Sequence, residues 1–253
     1  MTTQNHQKRF QYLIAVSLIL STPAMQMAFA NQTNAPHRQA GTPLKPNADR
    51  TGAGLNVKAL SKKIPSALSA VAENGEDLYD SAKAKNWALV ESQLKTLKQA
   101  QQKLSTEVSQ PKAELSVLHR EMSLLTLATQ KKDALATMHD ANQVTLHAAR
   151  LTAQFQPAEP SEVAILDYLG RELEMGIIQK DQAKLQNTSQ EIRKTWRMLE
   201  PTLKAHGGAT QAKTFDHLVT QIVAAKTLSE YKQLAPRELA EVDNLETVFH
   251  KTK

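Results

Sequence analysis

Gly75–Val90 reads GEDLYDSAKAKNWALV, and Gly170–Leu185 reads GRELEMGIIQKDQAKL. In each, apolar residues spaced by three and four end in a short polar turn and resume after Asn86 or Asp181. That pattern describes a helix, a stop, an N-cap and a second helix, which is a helical hairpin. The two stretches also match at a fixed offset of 95 residues. Gly75 meets Gly170, Leu78 meets Leu173, Lys85 meets Lys180, Ala88 meets Ala183 and Leu104 meets Leu199. Asp77 faces Glu172, Asn86 faces Asp181, Val90 faces Leu185, Leu97 faces Ile192 and Lys98 faces Arg193. Identity is low, but small, apolar and capping positions agree without a gap across the hairpin. A second match, Asn142–Thr145 against Asn244–Thr247, needs an offset of 102. The expected architecture is all-α: an up-and-down bundle of two similar units, about 57–153 and 158–253. Neither unit is expected to bury its apolar stripes alone, so the two share one domain, 57–253.

Outward from these hairpins, Ala, Leu, Lys, Gln and Glu dominate, all strong helix formers, and alternating β-branched runs are nearly absent. The spacing predicts helices over 60–84, 87–107, 111–150, 161–178, 182–205, 209–226, 228–234 and 236–250. Pro111 and Pro160 suit a first helical turn. Gly207-Gly208 suits a helix stop, and Thr227–Glu230 has the form of a capping box. Pro201 is expected to kink or restart its helix, and Pro236 to open the last one.

The first thirty residues read as an export signal. Lys8 and Arg9 precede a short apolar run, Tyr12–Leu20, and Ala28-Phe29-Ala30 offers small residues for cleavage. The run is shorter than the ~20 residues a membrane helix needs. No cysteine follows it, so lipid attachment there is excluded. The expectation is a signal peptide at 1–30, a disordered leader at 31–56 rich in Asn, Thr, Pro and Gly, and a periplasmic or secreted mature chain with no membrane span.

The sequence contains no cysteine, which removes disulfides, thiol nucleophiles, thiolate metal sites and covalent haem attachment. Formal net charge is +6 and falls to +4 without Lys8 and Arg9. The basic residues are interspersed with acids, and aromatic residues are 4% of the chain. Few stacking platforms are therefore available for nucleic acid, which is not an expected partner.

Candidate functional residues are polar groups on otherwise apolar helical faces. Leu135, Met138, Asn142, Leu146 and Ala149 share a face, with His139 at its edge. A buried amide or imidazole there must find partners. Asp167 and Arg171 stand four apart and are expected to pair. Glu172 and Asp77 border the stripes of the two units and together suggest a pair of inward carboxylates. Asp243, with Asn244 and Glu246, marks the last helix. The ligand-binding set read from the sequence is His139, Asn142, Asp167, Glu172 and Asp243. An alternative reading places metal or haem on His119, His139 and His147. However, His139 and His147 lie two turns apart, roughly 12 Å along a helix, and the Glu-x-x-His pattern of di-iron bundles is missing. No nucleophile elbow, phosphate loop or dinucleotide fingerprint is present. The function these features suggest is non-enzymatic binding of an envelope protein or a small ligand, with no cofactor identified by the residues.

Overall fold

The computed structural model describes residues 63–108, 112–155 and 157–250. The signal segment and the leader lie outside the described residues. Within them the fold is all-helical. The elements are α1 (Ser66–Lys83), α2 (Trp87–Glu107), α3 (Lys112–Gln130), α4 (Ala134–Thr152), α5 (Ser161–Gln179), α6 (Gln182–Ala205), α7 (Ala209–Ala224) and α8 (Leu228–Phe249). A short 3₁₀ turn, Ala153–Phe155, follows α4.

Three expected boundaries are corrected. The predicted 111–150 helix is two helices, parted at Lys131-Lys132-Asp133. Lys132 takes a left-handed backbone with φ 52°, and its amide and that of Asp133 close back on the carbonyls of Thr129 and Ala128. Asp133 then caps α4 by accepting from the Ala136 amide at 3.0 Å. No glycine or proline advertises this break. Conversely, Pro236 sits inside a continuous α8, and Pro201 inside a continuous α6. Both prolines are exposed. So are Arg197 and Lys232, whose carbonyls lose a helical partner there, which leaves those carbonyls on the watered side of the helix. The first helix begins at Ser66 rather than near residue 60.

The turn at Lys132 has close relatives. Lys85 and Lys180 are also left-handed, both with φ 55°, and both are followed by a capping side chain. Asn86 accepts from the Leu89 amide and Asp181 from the Lys184 amide. At the fourth turn Thr227 and Glu230 form the predicted capping box. The N-caps Asn86, Asp133, Asp181 and Thr227 recur every 46 to 48 residues. The described residues thus form four helical hairpins, and the offset of 95 spans two of them.

Each half closes on itself. α1 packs on α2 and α4, α3 packs on α4, and α2 meets α3 lightly. In the second half α5 packs on α6 and α8, and α7 packs on both α6 and α8. α4 against α5 joins the halves. Two apolar clusters result, and this replaces the expected shared core. One is built from α1–α4 and includes Leu68, Leu78, Leu97, Leu118 and Leu125, with Met175 reaching in from α5. The other is built from α5–α8 around Trp196 and Phe215, whose rings are 4.9 Å apart. Four stripes facing inward in a ring cover most of one another's apolar surface, so each cluster is built largely within its own half.

All four hairpin turns lie at one end of this helical unit. The start of α2 (Glu91, Lys95) and the end of α3 (Thr129, Gln130, Lys132) line one groove. Lys83, at the end of α1, reaches Glu174 near the end of α5 at 2.6 Å. Ser189 near the start of α6 donates to Tyr231 near the start of α8 at 3.1 Å. At the other end His250 lies 2.7 Å from Glu159, beyond the start of α5.

Candidate functional site

A polar seam runs between the two apolar clusters, and α5 is its spine. Gly170 lets α8 approach closely: a Cβ there would lie against Glu238 Oε2 and 2.6 Å from Leu239 Cδ2. On either side of this glycine stand Asp167, Arg171, Glu172 and Glu174. Arg171 is almost fully buried. Its Nη1 lies 2.5 Å from Asp167 Oδ2, the predicted pair, and its Nη2 lies 3.5 Å from Glu76 of α1. The Nη1 contact is off the hydrogen-bonding line, which makes it an ion pair more than a bond. The guanidinium also rests 5.6 Å from the centre of the Tyr79 ring. Burial pulls the Arg171 pKa down, but Asp167, Glu76 and Asp80 more than offset this and raise it. Tyr79 donates its hydroxyl to Glu174 Oε2 at 3.0 Å and to the Arg171 carbonyl at 3.3 Å. Burial, reinforced by Glu174, pushes the phenol pKa upward, so the hydroxyl keeps its proton and stays a donor.

From α4, the fully buried Asn142 donates to Glu172 Oε1 at 2.8 Å and to the Tyr168 carbonyl at 3.1 Å. Lys184 reaches the other Glu172 oxygen at 2.8 Å. Gln143 donates to the Tyr168 hydroxyl at 3.1 Å, and the Tyr168 pKa is raised to about 12, first by burial and then by Glu172. A buried carboxylate held by an amide and an ammonium is satisfied on both oxygens.

From α8 comes the group that is not satisfied. Glu238 is 0% exposed, and neither carboxyl oxygen has a hydrogen-bond partner. Burial raises its pKa well above the usual range, Asp167 adds to the rise, and Arg171 opposes it. Its charged form is therefore disfavoured where it sits against Gly170. About two turns further on, Glu246 is raised to about 8, first by burial and then by Glu159, Asp167, Asp243 and Glu76.

The structure brings Asn142, Asp167 and Glu172 of the predicted set to this seam, with a direct Asn142–Glu172 bond. His139 borders it: its Nδ1 lies 2.9 Å from Asp140 Oδ1, and its pKa is raised by that bond first, against the effect of burial, with Glu172 contributing. Asp243 stands on α8 beside Glu246. The suggested pair of inward carboxylates does not form, because Glu172 is buried and Asp77 is exposed. The three histidines of the alternative reading are engaged separately. His119 Nε2 is 3.1 Å from Ser105 Oγ, His147 Nδ1 is 2.5 Å from Glu114 Oε1, and His139 has Asp140. Among the described residues no group of three or more His, Asp or Glu is arranged to hold a metal. Sequence reasoning missed Tyr79, Glu174 and Glu238. The capping-box and proline signals locate α8, but nothing in its sequence marks Glu238 as inward-facing.

An open groove of about 470 Å³ lies away from the seam, between α2 and α3. It exists because these helices are the most lightly packed neighbours of the first half. Its lining is polar and basic: Lys95, Lys98 and Lys132 against Glu91, with Gln99, Gln102, Thr126, Thr129 and Gln130 between them and Leu94 at its floor. Thr129 Oγ1 is buried and has no hydrogen-bond partner. Comparisons with protein-family models, with curated proteins and with solved structures return no match.

Proposed function

We propose that this chain is an exported, non-enzymatic binding protein whose α2–α3 groove takes an acidic segment of an envelope protein. The observation that carries the reading is the groove lining. Three lysines face one glutamate, and the amides and hydroxyls between them match the donors and acceptors of a peptide backbone. Small-molecule sites are mostly apolar and enclosed, whereas this groove is polar and open along the helices, which favours a polypeptide. The seam has a different part in this reading. Its amides and charges pair with one another and hold the two halves in register, so that the groove is presented on a fixed frame.

We also infer that the two halves are copies of one unit. Supporting this are the same ring order of helices, the glycines at 75 and 170 on the helices that approach α4 and α8, and the left-handed Lys85 and Lys180 before their caps.

Crosslinking in the native periplasm tests the binding function. A photoreactive residue at Gln99, inside the groove, is expected to give a discrete protein adduct that disappears in Lys95→Glu/Lys98→Glu. The same probe at Lys194, exposed on α6, is expected to give none. Equal adducts at both positions, or none at Gln99, would remove the groove as the binding site.

A further inference from the structure

Three of the four hairpin tips end in a lysine with a left-handed backbone, Lys85, Lys132 and Lys180, and all three stand at one end of the helical unit. Glycine is the usual residue at this position, because a side chain there crowds its own backbone. A cation at a helix C-terminus offsets that strain through its attraction to the helix dipole. The net result is an ammonium held at the tip of each of three hairpins. Lys131 and Lys226 are exposed at the same end. None of these five lysines is in an ion pair among the described residues. Three acids at the tips are occupied as helix caps: Asp133 and Asp181 accept from backbone amides, and Glu230 accepts from the amides of Lys226 and Thr227; Asp80 and Glu91 stand exposed within about a turn of the first tip.

Large apolar side chains stand among the lysines. Leu89 is 44%, Leu127 52% and Ile178 51% exposed, one on each of the first three hairpins. Trp87 is half-buried at the first position of α2. The same end thus offers apolar side chains for shallow insertion and a ring of long cations.

We propose that this end docks on the surface of an anionic phospholipid bilayer, with the lysines on the headgroups and Leu89, Leu127 and Ile178 at the acyl boundary. Charge complementarity selects an anionic partner, and the residue types select lipid over protein. Protein interfaces are enriched in arginine, tyrosine and tryptophan and depleted in lysine, whereas these tips carry lysine and no arginine. Lysine can also keep its ammonium among headgroups while its stem lies along apolar surface. A polybasic surface attracts an anionic leaflet with about 1 kcal/mol per lysine, close to five-fold in partitioning for each. Lys132 also lines the α2–α3 groove, whereas Lys85 and Lys180 lie outside it, so vesicle binding lost in Lys85→Gly/Lys180→Gly alone separates the two sites.

Sedimentation of the mature chain with vesicles tests the proposal. One vesicle is equimolar phosphatidylglycerol and phosphatidylethanolamine, and the other is phosphatidylcholine alone. Binding is expected to the anionic vesicle, weakened by salt, and absent from the neutral one. The variant Lys85→Gly/Lys131→Gln/Lys132→Gly/Lys180→Gly removes four cations and places glycine at each left-handed position, so its circular dichroism and urea midpoint are expected to match or exceed wild type. Its partitioning is expected to fall roughly 10²–10³-fold. Leu89→Ser/Leu127→Ser/Ile178→Ser is expected to abolish the part of binding that survives high salt. Equal binding to both vesicles, or undiminished binding by the folded lysine variant, overturns the proposal. So does failure to bind vesicles combined with lysine-dependent binding to an acidic protein, which would reassign this end to a soluble partner.

Discussion

Each half is a ring of four helices in which a glycine marks one close approach, and the side chains at the two approaches differ. Gly75 lets α1 approach α4, and Gly170 lets α5 approach α8. Against Gly75 stand Thr145 and Val144, with the hydroxyl of Thr145 bonded to the Asn142 carbonyl at 2.7 Å. Against Gly170 stands Glu238, buried and without a partner. Next to the glycines, Glu76 in one half and Arg171 in the other occupy the same step of the 95-residue offset, and they face each other across the seam. The same offset links Tyr79 to Glu174, which share a hydrogen bond. The lesson is that a glycine fixes where two helices approach. The side chains at the approach decide whether the joint is apolar and insensitive to pH, or charged and dependent on it.

The strongest way to break this comparison is Arg171→Met. Asp167 and Glu76 then lose their buried cation, and stripping one partner from a buried pair costs about 3–5 kcal/mol. Glu76→Gln, at the equivalent step of the first half, is expected to cost no more than about 1 kcal/mol, because Glu76 is partly exposed. Urea midpoints of the two variants measure the contrast.

Next in size is pH. Glu238 and Glu246 have raised carboxyl pKa values in the fold. The folded state therefore binds more protons than the unfolded state above the ordinary glutamate range. Stability is full below that range and falls as pH rises through about 8 for Glu246, and further as Glu238 ionises. The expected loss is a few kcal/mol, since each tenfold difference in proton affinity between the folded and unfolded states is worth ~1.4 kcal/mol. Glu238→Gln/Glu246→Gln is expected to flatten the alkaline decline. Denaturation curves across pH 5 to pH 9, on both proteins, decide it; an unchanged slope would falsify the account of these two raised carboxyls.

Gly170→Ala and Gly75→Ala sharpen the comparison. At Gly170 the new methyl meets Leu239 at 2.6 Å and 2.9 Å as well as the Glu238 carboxyl, and about 2 kcal/mol of overpacking is expected. At Gly75 its closest contact is Thr145 Cγ2 at 2.9 Å. There the ~1 kcal/mol helix preference for alanine over glycine offsets most of the strain, giving a near-neutral change.

The smallest effect expected is the one the halves share. Lys85→Gly and Lys180→Gly relieve the same left-handed backbone, and each is expected to shift stability by about 0.5 kcal/mol or less, in the same direction. Thermal melts of the two single variants test whether the turns are equivalent; opposite signs would show that they are not.

The sequence by itself determined the helical class, the caps at Asn86, Asp181 and Thr227, the stop at Gly207-Gly208 and the Asp167–Arg171 pair. These are local features, governed by spacing within a turn or two, and local chemistry is written in order along the chain. It also placed Asn142 on an apolar face and Glu172 at the border of one, and both are buried, because helical period alone assigns a residue to a stripe. It missed the break at Lys132, where a lysine stands in the place of glycine and carries no signal of its own. Only the tertiary structure decided that each half closes around its own apolar cluster, that α1 and α5 bring Tyr79 to Glu174, and that Glu238 is sealed against Gly170. Those outcomes depend on which helices become neighbours. That choice is made by the sum of many small packing energies over residues far apart in the chain, and no single spacing encodes it.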